Sequence, residues 1–297
     1  MSRGGLAAIV RALGGDLYAG GRRANVPGPG HSAADRSVSL MLSDGRVIAH
    51  SFAGDDWRAV LDDLFERGLV DRDGRLMGGD VASAASRPLG PSARARRAIA
   101  RGLWAQGRPI TGTLSEINLR RRGVASASAA LRHHPGVPAA VYAARGLRRP
   151  ALLAAITAPA GELTGLEVTY LAPNGERARM ALARKTIGVR APGAAVRLDP
   201  PAPRMLVGEG VATCLSAAAR FALPAWALLS TGNLRAWRPP PGVEFVVIAA
   251  DRGRDGERSA LVLAAALRAL GVRGTVRWPQ APFGDWNEAS GAAREGK

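Results

Sequence analysis

Cysteine is almost absent from this chain, which has a single one, Cys214, in 297 residues. One cysteine excludes an intramolecular disulfide and any zinc site built from four cysteines or from two cysteines and two histidines. Long hydrophobic runs are missing too, because no apolar stretch reaches the ~18 residues of a membrane span. Residues 1–13 lack the long apolar core and small-residue cleavage site of a signal peptide. These absences predict a cytoplasmic protein with no membrane partner.

Lysine is also scarce. Only Lys185 and Lys297 are lysines, so 41 − 2 = 39 of the basic residues are arginines. Against 24 acidic residues, the basic residues give a formal net charge of +17 at pH 7. Arginine grips phosphate in a bidentate fork, so this charge favours a polyanionic partner, with nucleic acid ahead of anionic lipid. The alternative is an arginine-biased solvated surface, and charge alone does not separate the two.

Composition divides the chain into four regions. Residues 1–77 carry short strand-like runs and end with an amphipathic helix over 56–67. Residues 78–93 are rich in Ser, Gly and Pro, which is typical of a linker. Residues 94–200 begin with a basic helical stretch and continue as a strand-rich segment. In residues 201–290 short apolar strands alternate with helices, which predicts an α/β fold with a parallel sheet and flanking helices.

Two acidic residues follow apolar strands in this last region. Glu209 lies between two glycines after the strand 205–207, and Asp251 ends the strand 245–250. Neighbouring parallel strands lie about 4.8 Å apart, so the two carboxylates could converge on one divalent cation. A cation held in this way and completed by phosphate oxygens serves in phosphoryl transfer. The spacing alone favours the alternative, in which Glu209 caps a helix and Asp251 opens a turn.

The order of motifs in this region resembles a Toprim domain, the catalytic module of bacterial-type primases, topoisomerases and some nucleases. The matching segments are Met205-Leu-Val-Gly-Glu-Gly, Pro224-Ala-Trp-Ala-Leu-Leu-Ser-Thr-Gly-Asn-Leu, Val246-Val-Ile-Ala-Ala-Asp and Gly284-Asp285-Trp286-Asn287. Upstream segments resemble the region that precedes Toprim in phage- and plasmid-type primases. They include Leu103-Trp104, Leu119-Arg-Arg-Arg-Gly-Val, Thr169-Tyr-Leu-Ala-Pro-Asn-Gly and Lys185-Thr-Ile-Gly. The resemblance spans roughly residues 95 to 290.

The resemblance implies roles for individual acids. Glu209 matches a glutamate of acid/base or metal-linked chemistry, and Asp251 matches the first aspartate of a magnesium-binding Asp-x-Asp pair. Gly253 stands where the second aspartate is expected, and Asp255, two residues further on, could reach back or point into solvent. Asp285 matches an acid near the end of the domain and is an additional candidate ligand. The implied cofactor is Mg²⁺ or Mn²⁺, at a site that Gly253 weakens.

Basic residues upstream are candidates for contacts with nucleic acid and nucleotides. Lys185 matches a family position where it would meet a nucleotide phosphate. The candidates for a groove along single-stranded DNA are Arg94, Arg96, Arg97, Arg101, Arg120, Arg121 and Arg122. Because only 5% of the residues are aromatic, salt-sensitive and weakly sequence-specific binding is expected. His133 and His134 are predicted to be a polar surface pair in a basic loop.

Residues 1–77 resemble the zinc ribbon that precedes the primase core, without its cysteines. Val26 takes the first cysteine position, Ser51 and Asp55 take the second pair, and His31 and His50 remain. A structural zinc site needs four ligands, among which thiolates dominate, so bound zinc is not expected. Two histidines and one aspartate are the alternative ligand set. The favoured interpretation is a β-rich ribbon stabilised by apolar packing of Leu40, Leu42, Val47 and Trp57.

Taken together, the resemblance implies a primase-like protein that joins ribonucleoside triphosphates on single-stranded DNA and releases pyrophosphate. The sequence has no Walker-type Gly-x-x-x-x-Gly-Lys-Ser/Thr, so a separate helicase is an expected partner. Two alternatives remain open. One is a single-stranded DNA-binding module with a decayed active site, suggested by Gly253. The other is a Toprim nuclease that uses the same acids.

Overall fold

The computed structural model describes residues 5–31, 35–51, 56–77, 91–141, 147–180 and 182–295. It divides into two compact units, Met1–Pro88 and Leu89–Lys297. The predicted linker over 78–93 lies outside the described residues, apart from its last three positions. Within the described ranges, every helix is too short or too polar to cross a bilayer.

The first unit is an antiparallel sheet with two helices. Its elements are α1 (Ala7–Leu13), β1 (Asp16–Tyr18), β2 (Arg23–Val26), β3 (Val38–Ser43), β4 (Arg46–Ser51) and α2 (Trp57–Glu66). The strands pair in chain order. Asp44 and Gly45 both have positive φ, as a two-residue hairpin with the right twist requires, and they join β3 to β4. Asp56 begins α2 by accepting a hydrogen bond from the Arg58 N–H.

Apolar packing fills the interior of this unit. Val26, at the first cysteine position, is fully buried in a core that also contains Leu40 and Val47. Trp57 departs from the prediction, because 48% of it is exposed and the Arg58 guanidinium lies 4.5 Å from its ring centre. His31 contacts the Asp35 carboxylate through Nδ1 at 2.9 Å. Asp55 lies outside the described residues.

The second unit begins with two helices and a second antiparallel sheet. These elements are α3 (Ala93–Gln106), α4 (Leu114–Arg121), β5 (Leu131–Pro138), β6 (Arg148–Thr157), β7 (Leu163–Tyr170) and β8 (Arg184–Gly188). Side chains of Ser92 and Thr113 cap the two helices. The strand order is β5-β6-β7-β8, and α3 packs on one face of the sheet. This segment is therefore a helix-covered sheet, consistent with the predicted basic helical start and strand-rich continuation.

His133 and His134 do not form the polar surface pair in a basic loop that the sequence predicts. Both are buried in β5 and not exposed in a loop. The His133 Nδ1 lies 2.9 Å from the Ser115 hydroxyl, and the His134 Nδ1 accepts a hydrogen bond from the Gly136 N–H. Burial lowers the pKa of both imidazoles, so they are held neutral as members of the packed sheet.

The C-terminal part of the second unit is the predicted α/β sheet. Its elements are β9 (Val196–Arg197), β10 (Arg204–Gly208), α5 (Val211–Phe221), β11 (Ala225–Ala227), α6 (Thr231–Ala236), β12 (Phe245–Ala249), α7 (Arg254–Ala269), β13 (Arg273–Arg277) and α8 (Trp286–Glu295). The strand order is β13-β12-β10-β11-β9. The first four strands in that order are parallel, and β9 is an antiparallel edge. The predicted fold class is confirmed.

One hydrophobic core joins both sheets of the second unit. It includes Leu152 and Ile156 of β6, Leu206 of β10 and Cys214 of α5. A separate core on the far face of the parallel sheet holds α6 and α7. Because β6 and β10 share a core, side chains from the antiparallel sheet line a pocket together with the start of α5.

Candidate active site

Glu209 lies where β10 ends and the chain turns into α5. A Cβ on Gly208 would lie 2.9 Å from the Cys214 Sγ and from the Ala249 carbonyl oxygen, so a glycine lets the two strands and the helix approach closely. Burial raises the pKa of Glu209, and the charge of Asp255 raises it further. The carboxyl group is therefore held where a proton or a cation stabilises it.

Asp251 follows β12, the strand next to β10. Burial is the main cause that raises the pKa of Asp251 to about 7, and the carboxylates of Glu209 and Asp285 add to the effect while Arg184 opposes it. The Asp251 Oδ1 atom is buried and has no hydrogen-bond partner. A buried carboxylate oxygen without a donor, near other carboxylates, requires a proton or a cation to compensate its charge.

The start of α8 brings two more carboxylates to Asp251. The Asp285 Oδ1 accepts hydrogen bonds from the backbone N–H groups of Asn287 at 2.7 Å and Glu288 at 2.9 Å, and the Glu288 carboxylate accepts from Gly284 at 2.8 Å. The arrangement resembles a capping box, except that the Glu288 carboxylate reaches the N–H of the residue before the N-cap. Both carboxylates raise the pKa of Asp251. Glu288 was not predicted, although the Asp-x-x-Glu spacing is the sequence signal for it.

Asp255 makes different contacts. Its Oδ1 atom accepts a hydrogen bond from the Arg235 guanidinium at 2.9 Å. Burial acts to raise the pKa of Asp255, but hydrogen bonds from Thr231 and Arg235 outweigh it and lower the pKa. Asp255 is close enough to raise the pKa of Glu209, and it is not among the groups that shift the pKa of Asp251 most strongly. The structure thus engages Asp255 with α6 instead of turning it back to Asp251.

The loop before α7 explains the glycine at the second-aspartate position. Gly253 has φ of +109°, a conformation that residues with a side chain rarely adopt. Nothing would lie within 4 Å of a Cβ at this position. Backbone conformation, and not lack of space, therefore favours glycine here.

A divalent cation fits these residues if a substrate completes its coordination. In the described ranges, no three or more His, Cys, Asp or Glu side chains come close enough together to hold a metal ion by themselves. Magnesium is commonly bound by one or two carboxylates, with phosphate oxygens and water supplying the other ligands. The unpartnered Asp251 oxygen and the neighbouring Glu209 carboxylate match that donor set.

A pocket lies between the antiparallel sheet and the start of α5, and we call it the arginine pocket. It is lined by Asn118, Leu119, Arg122, Leu152, Ala154, Glu167, Thr169, Arg177, Arg184, Val211 and Ala212. The Nε atom of Arg122 is buried without a hydrogen-bond partner. Burial is the main cause that lowers the pKa of Arg122. The charge of Asp285 opposes this shift, and the charges of Arg177 and Arg184 add to it. Three guanidinium groups beside a helix N-terminus suit a polyanion.

Family comparisons identify the C-terminal part of the chain. Residues 204–295 match the Toprim domain family. This segment is a Toprim domain. Residues 94–198 match a domain of unknown function, DUF7146. No curated protein matches the chain by sequence.

Solved primase structures are similar to this chain in fold. The primase fragment of the bacteriophage T7 primase-helicase protein shares 15% identity, with 91% of this chain and 95% of that chain covered and a TM-score of 0.42. The zinc-binding and RNA polymerase domains of the Aquifex aeolicus primase share 13% identity over 98% and 81% of the two chains, with a TM-score of 0.43. The E. coli primase catalytic core shares 13% over 68% and 75%, with a TM-score of 0.42.

Lys185 lies on the face of the antiparallel sheet opposite the arginine pocket. Thr169 pairs with Arg184 and Val168 pairs with Lys185, and successive side chains point to opposite faces. The Lys185 Nζ donates a hydrogen bond to the Ala139 carbonyl and lies 5.0 Å from the Tyr170 ring centre. The structure therefore brings Arg184, and not Lys185, to the pocket beside the Toprim domain.

The other predicted basic residues lie on α3 and α4. The Arg101 guanidinium is 2.6 Å from the Glu162 carboxylate, and the Arg120 guanidinium is 2.8 Å from that of Glu116. The Arg97 Nε is buried without a hydrogen-bond partner. Of the predicted basic residues, only Arg122 lines the arginine pocket beside the acids of the Toprim domain.

Sequence reasoning missed three charged residues of the arginine pocket, Glu167, Arg177 and Arg184. Cross-strand register brings Glu167 and Arg184 together, since they lie on neighbouring strands and share one face. The one sequence signal for Glu167 is a charged residue inside the otherwise uncharged strand Leu163–Tyr170.

Proposed function

We propose that this chain is a primase-like protein that joins ribonucleoside triphosphates on a single-stranded DNA template in a metal-dependent reaction and releases pyrophosphate. The observation that carries the proposal is the buried, unpartnered Asp251 oxygen beside Glu209 in a Toprim domain. The arginine pocket adds three guanidinium groups on the side of the antiparallel sheet. Acids that attract a cation and arginines that attract phosphate are the two requirements of nucleotidyl transfer.

The chemistry of each side chain determines its role in the proposed reaction. In this proposal Asp251 would hold Mg²⁺ or Mn²⁺ beside Glu209, and a bound cation would supply charge neutralisation at the phosphate oxygens. Arg122 and Arg184 orient the triphosphate through bidentate hydrogen bonds. A 3′ hydroxyl oxygen bonds to the α-phosphorus, the bond to the pyrophosphate oxygen breaks, and the hydroxyl proton passes to Glu209. The raised pKa of Glu209 suits it to accept that proton.

Single-stranded DNA is the proposed template from the resemblance to primases, and the charge of the chain supports a nucleic acid as the partner. The formal net charge is +17, nearly all from arginine, and phosphate contacts give affinity without sequence preference. Replication of phage or plasmid type and a helicase on a separate polypeptide are proposed from the resemblance of the upstream motifs.

One experiment with three arms tests this function. In the first arm, purified protein is incubated with single-stranded DNA and labelled ribonucleotides in Mg²⁺ or Mn²⁺, and primer synthesis is measured. In the second, it is incubated with the metal and end-labelled DNA alone, and cleavage is measured. In the third, its binding to the DNA is measured. Short products that disappear in Glu209→Gln and Asp251→Asn support the proposal. Metal-dependent cleavage of the DNA without nucleotides would instead show a nuclease. Binding with neither synthesis nor cleavage would show a decayed site.

A further inference from the structure

Leu229 adopts a left-handed backbone conformation next to Glu209. Its φ is +71°, which a bulky side chain makes unfavourable. Leu229 lies between β11 and α6, and its N–H donates a hydrogen bond to the Glu209 carbonyl at 2.8 Å. A strained conformation persists only where surrounding contacts hold it, and such conformations concentrate at functional sites. The contacts that hold Leu229 therefore bear on the position of Glu209.

Residues 228–231, which we call the β11–α6 turn, also reach the Glu209 side chain. The Thr231 N–H donates a hydrogen bond to the Glu209 carboxylate, and the Thr231 hydroxyl donates one to the Asp255 carboxylate. The Leu228 N–H donates to the Gly208 carbonyl at 2.8 Å. A displacement of the turn would therefore remove donors from both the backbone and the carboxylate of Glu209.

Asn233 fastens the β11–α6 turn to the segment before β9. It is 8% exposed. Its Nδ2 donates hydrogen bonds to the Leu228 carbonyl at 2.7 Å and the Ala194 carbonyl at 2.6 Å, and its Oδ1 accepts one from the Gly193 N–H at 2.8 Å. The next residue, Ala195, pairs with the end of β6. One buried side chain thus connects the turn beside Glu209 to the antiparallel sheet.

A second contact holds the other side of the strained residue. The Arg190 Nη1 donates a hydrogen bond to the Leu229 carbonyl at 3.3 Å. Arg190 is exposed and follows β8, and its charge opposes the rise in the pKa of Glu209. The N–H and the carbonyl group of Leu229 are therefore both engaged, one by Glu209 and one by the antiparallel half of the unit.

We propose that Asn233 is a positioning residue that holds the strained β11–α6 turn and thereby fixes Glu209 for proton transfer. This inference rests on the proposed function, because it takes the role of Glu209 from there. Asn233 acts through the turn. Without its bonds the turn relaxes from the left-handed conformation and withdraws its donors from Glu209. A small misplacement of a reacting group lowers the rate strongly, so kcat should change and the KM for nucleotides should not.

Substitutions in the full chain separate hydrogen bonding from packing. Asn233→Ala removes the three side-chain hydrogen bonds, and Asn233→Asp keeps the shape but sets a carboxylate against two carbonyl oxygens. In the double variant Leu229→Asn/Asn233→Ala, the asparagine at 229 tolerates the left-handed conformation. The control is Tyr170→Phe, which loses one hydrogen bond from a buried side chain to the Pro138 carbonyl, on the sheet face opposite the arginine pocket.

Hydrogen exchange of the turn amides is the first readout, because it needs no activity. We expect the N–H groups of Leu229 and Thr231 to exchange at least about tenfold faster in both Asn233 variants than in wild type. The double variant should regain most of the protection, and Tyr170→Phe should keep all of it. Unchanged exchange in the Asn233 variants overturns the inference. If these variants do not fold, Arg190→Ala must speed exchange of the same amides, and its failure to do so overturns the inference.

The kinetics of primer synthesis are the second readout. In Asn233→Ala, kcat should fall about tenfold or more at an unchanged KM for ribonucleotides, and the double variant should recover most of the loss. A purely structural role would lower stability and leave kcat per folded molecule as in Tyr170→Phe. That result overturns the inference, and so does a double variant that stays as slow as Asn233→Ala.

The two readouts also separate this inference from the proposed function. A wild type that makes no primer, together with a turn that loosens in the Asn233 variants, contradicts the function and keeps the placement of Glu209 by Asn233. Primer synthesis by wild type, together with an unaltered kcat in Asn233→Ala, contradicts the inference alone.

Discussion

Burying the Asp251 carboxyl group makes folding depend on its protonation state. Its pKa rises from an ordinary value of 3.8 to about 7. A group whose pKa is raised on folding favours the folded state when it is protonated, so that contribution is fully present below about pH 3.8 and is lost as the pH rises through about 7. Above that pH the folded chain carries a buried negative charge whose Oδ1 atom has no donor.

Asp251→Asn removes this charge and keeps the shape of the side chain. We expect the free energy of unfolding at pH 8 to increase by about 1–3 kcal/mol. The increase at pH 5 should be smaller, because Asp251 is then protonated in the folded chain and ionised only in the unfolded chain. Chemical denaturation of both proteins at the two pH values measures the difference. An equal effect at pH 5 and pH 8 would contradict a raised pKa at this residue.

Gly253 offers a second test at the scale of one residue. Because its φ is +109°, Gly253→Asp should lower the free energy of unfolding by about 1–2 kcal/mol and should not tighten cation binding. Gly253→Ala is the matched control, since it introduces the same backbone strain without a charge. Denaturation and Mn²⁺ titration of the three proteins provide the measurement. An aspartate that tightens Mn²⁺ binding at no cost in stability would show that the loop adapts.

At the scale of elements, Asn287 ties the start of α8 to the rest of the site. Its Nδ2 donates hydrogen bonds to the Arg122 carbonyl at 2.7 Å and to the Ser216 hydroxyl at 3.1 Å. These bonds join α8 to the end of α4 and to α5. They hold the Asp285 and Glu288 carboxylates where they act on Asp251.

Asn287→Ala loses both bonds and should lower the free energy of unfolding by about 1–3 kcal/mol. Ser216→Ala removes one acceptor only, so we expect a smaller loss. Cation affinity should fall in the asparagine variant, because Asp285 and Glu288 are no longer held in place. Denaturation and Mn²⁺ titration check both effects. Equal stability losses in the two variants would contradict a separate contribution from the Arg122 carbonyl.

Elements with strong apolar runs could be predicted from the sequence. β10 and β12 follow from the apolar runs 205–207 and 245–250, and a helix follows each strand, as the predicted alternation of strands and helices requires. The short helices α6 and α8 were not predicted. They begin at side-chain caps on Ser230 and Asp285, and the Asp-x-x-Glu spacing is the sequence signal that was missed for α8. Whether Arg184 or Lys185 faces the arginine pocket depends on the strand register, because a shift of one residue moves every side chain to the opposite face of the sheet.

At the scale of the whole molecule, the net charge of +17 governs binding to nucleic acid. We expect the affinity for single-stranded DNA to fall at least about tenfold between 50 and 200 mM salt, because each phosphate contact releases a counterion. Fluorescence anisotropy with labelled oligonucleotides of different sequence measures the affinity. A salt-independent affinity, or a strong preference for one sequence, would contradict electrostatic binding.

We propose that Asp251, and not Asp255, holds the catalytic cation. Asp255 is engaged by Arg235 at 2.9 Å, whereas the Asp251 oxygen is buried and unpaired. The direct measurement is ribonucleotide incorporation on single-stranded DNA by Asp251→Asn and Asp255→Asn beside wild type. The structure predicts a loss of at least about a hundredfold in the first variant and only a few-fold in the second. Equal losses in both variants, or full activity in Asp251→Asn, would contradict it.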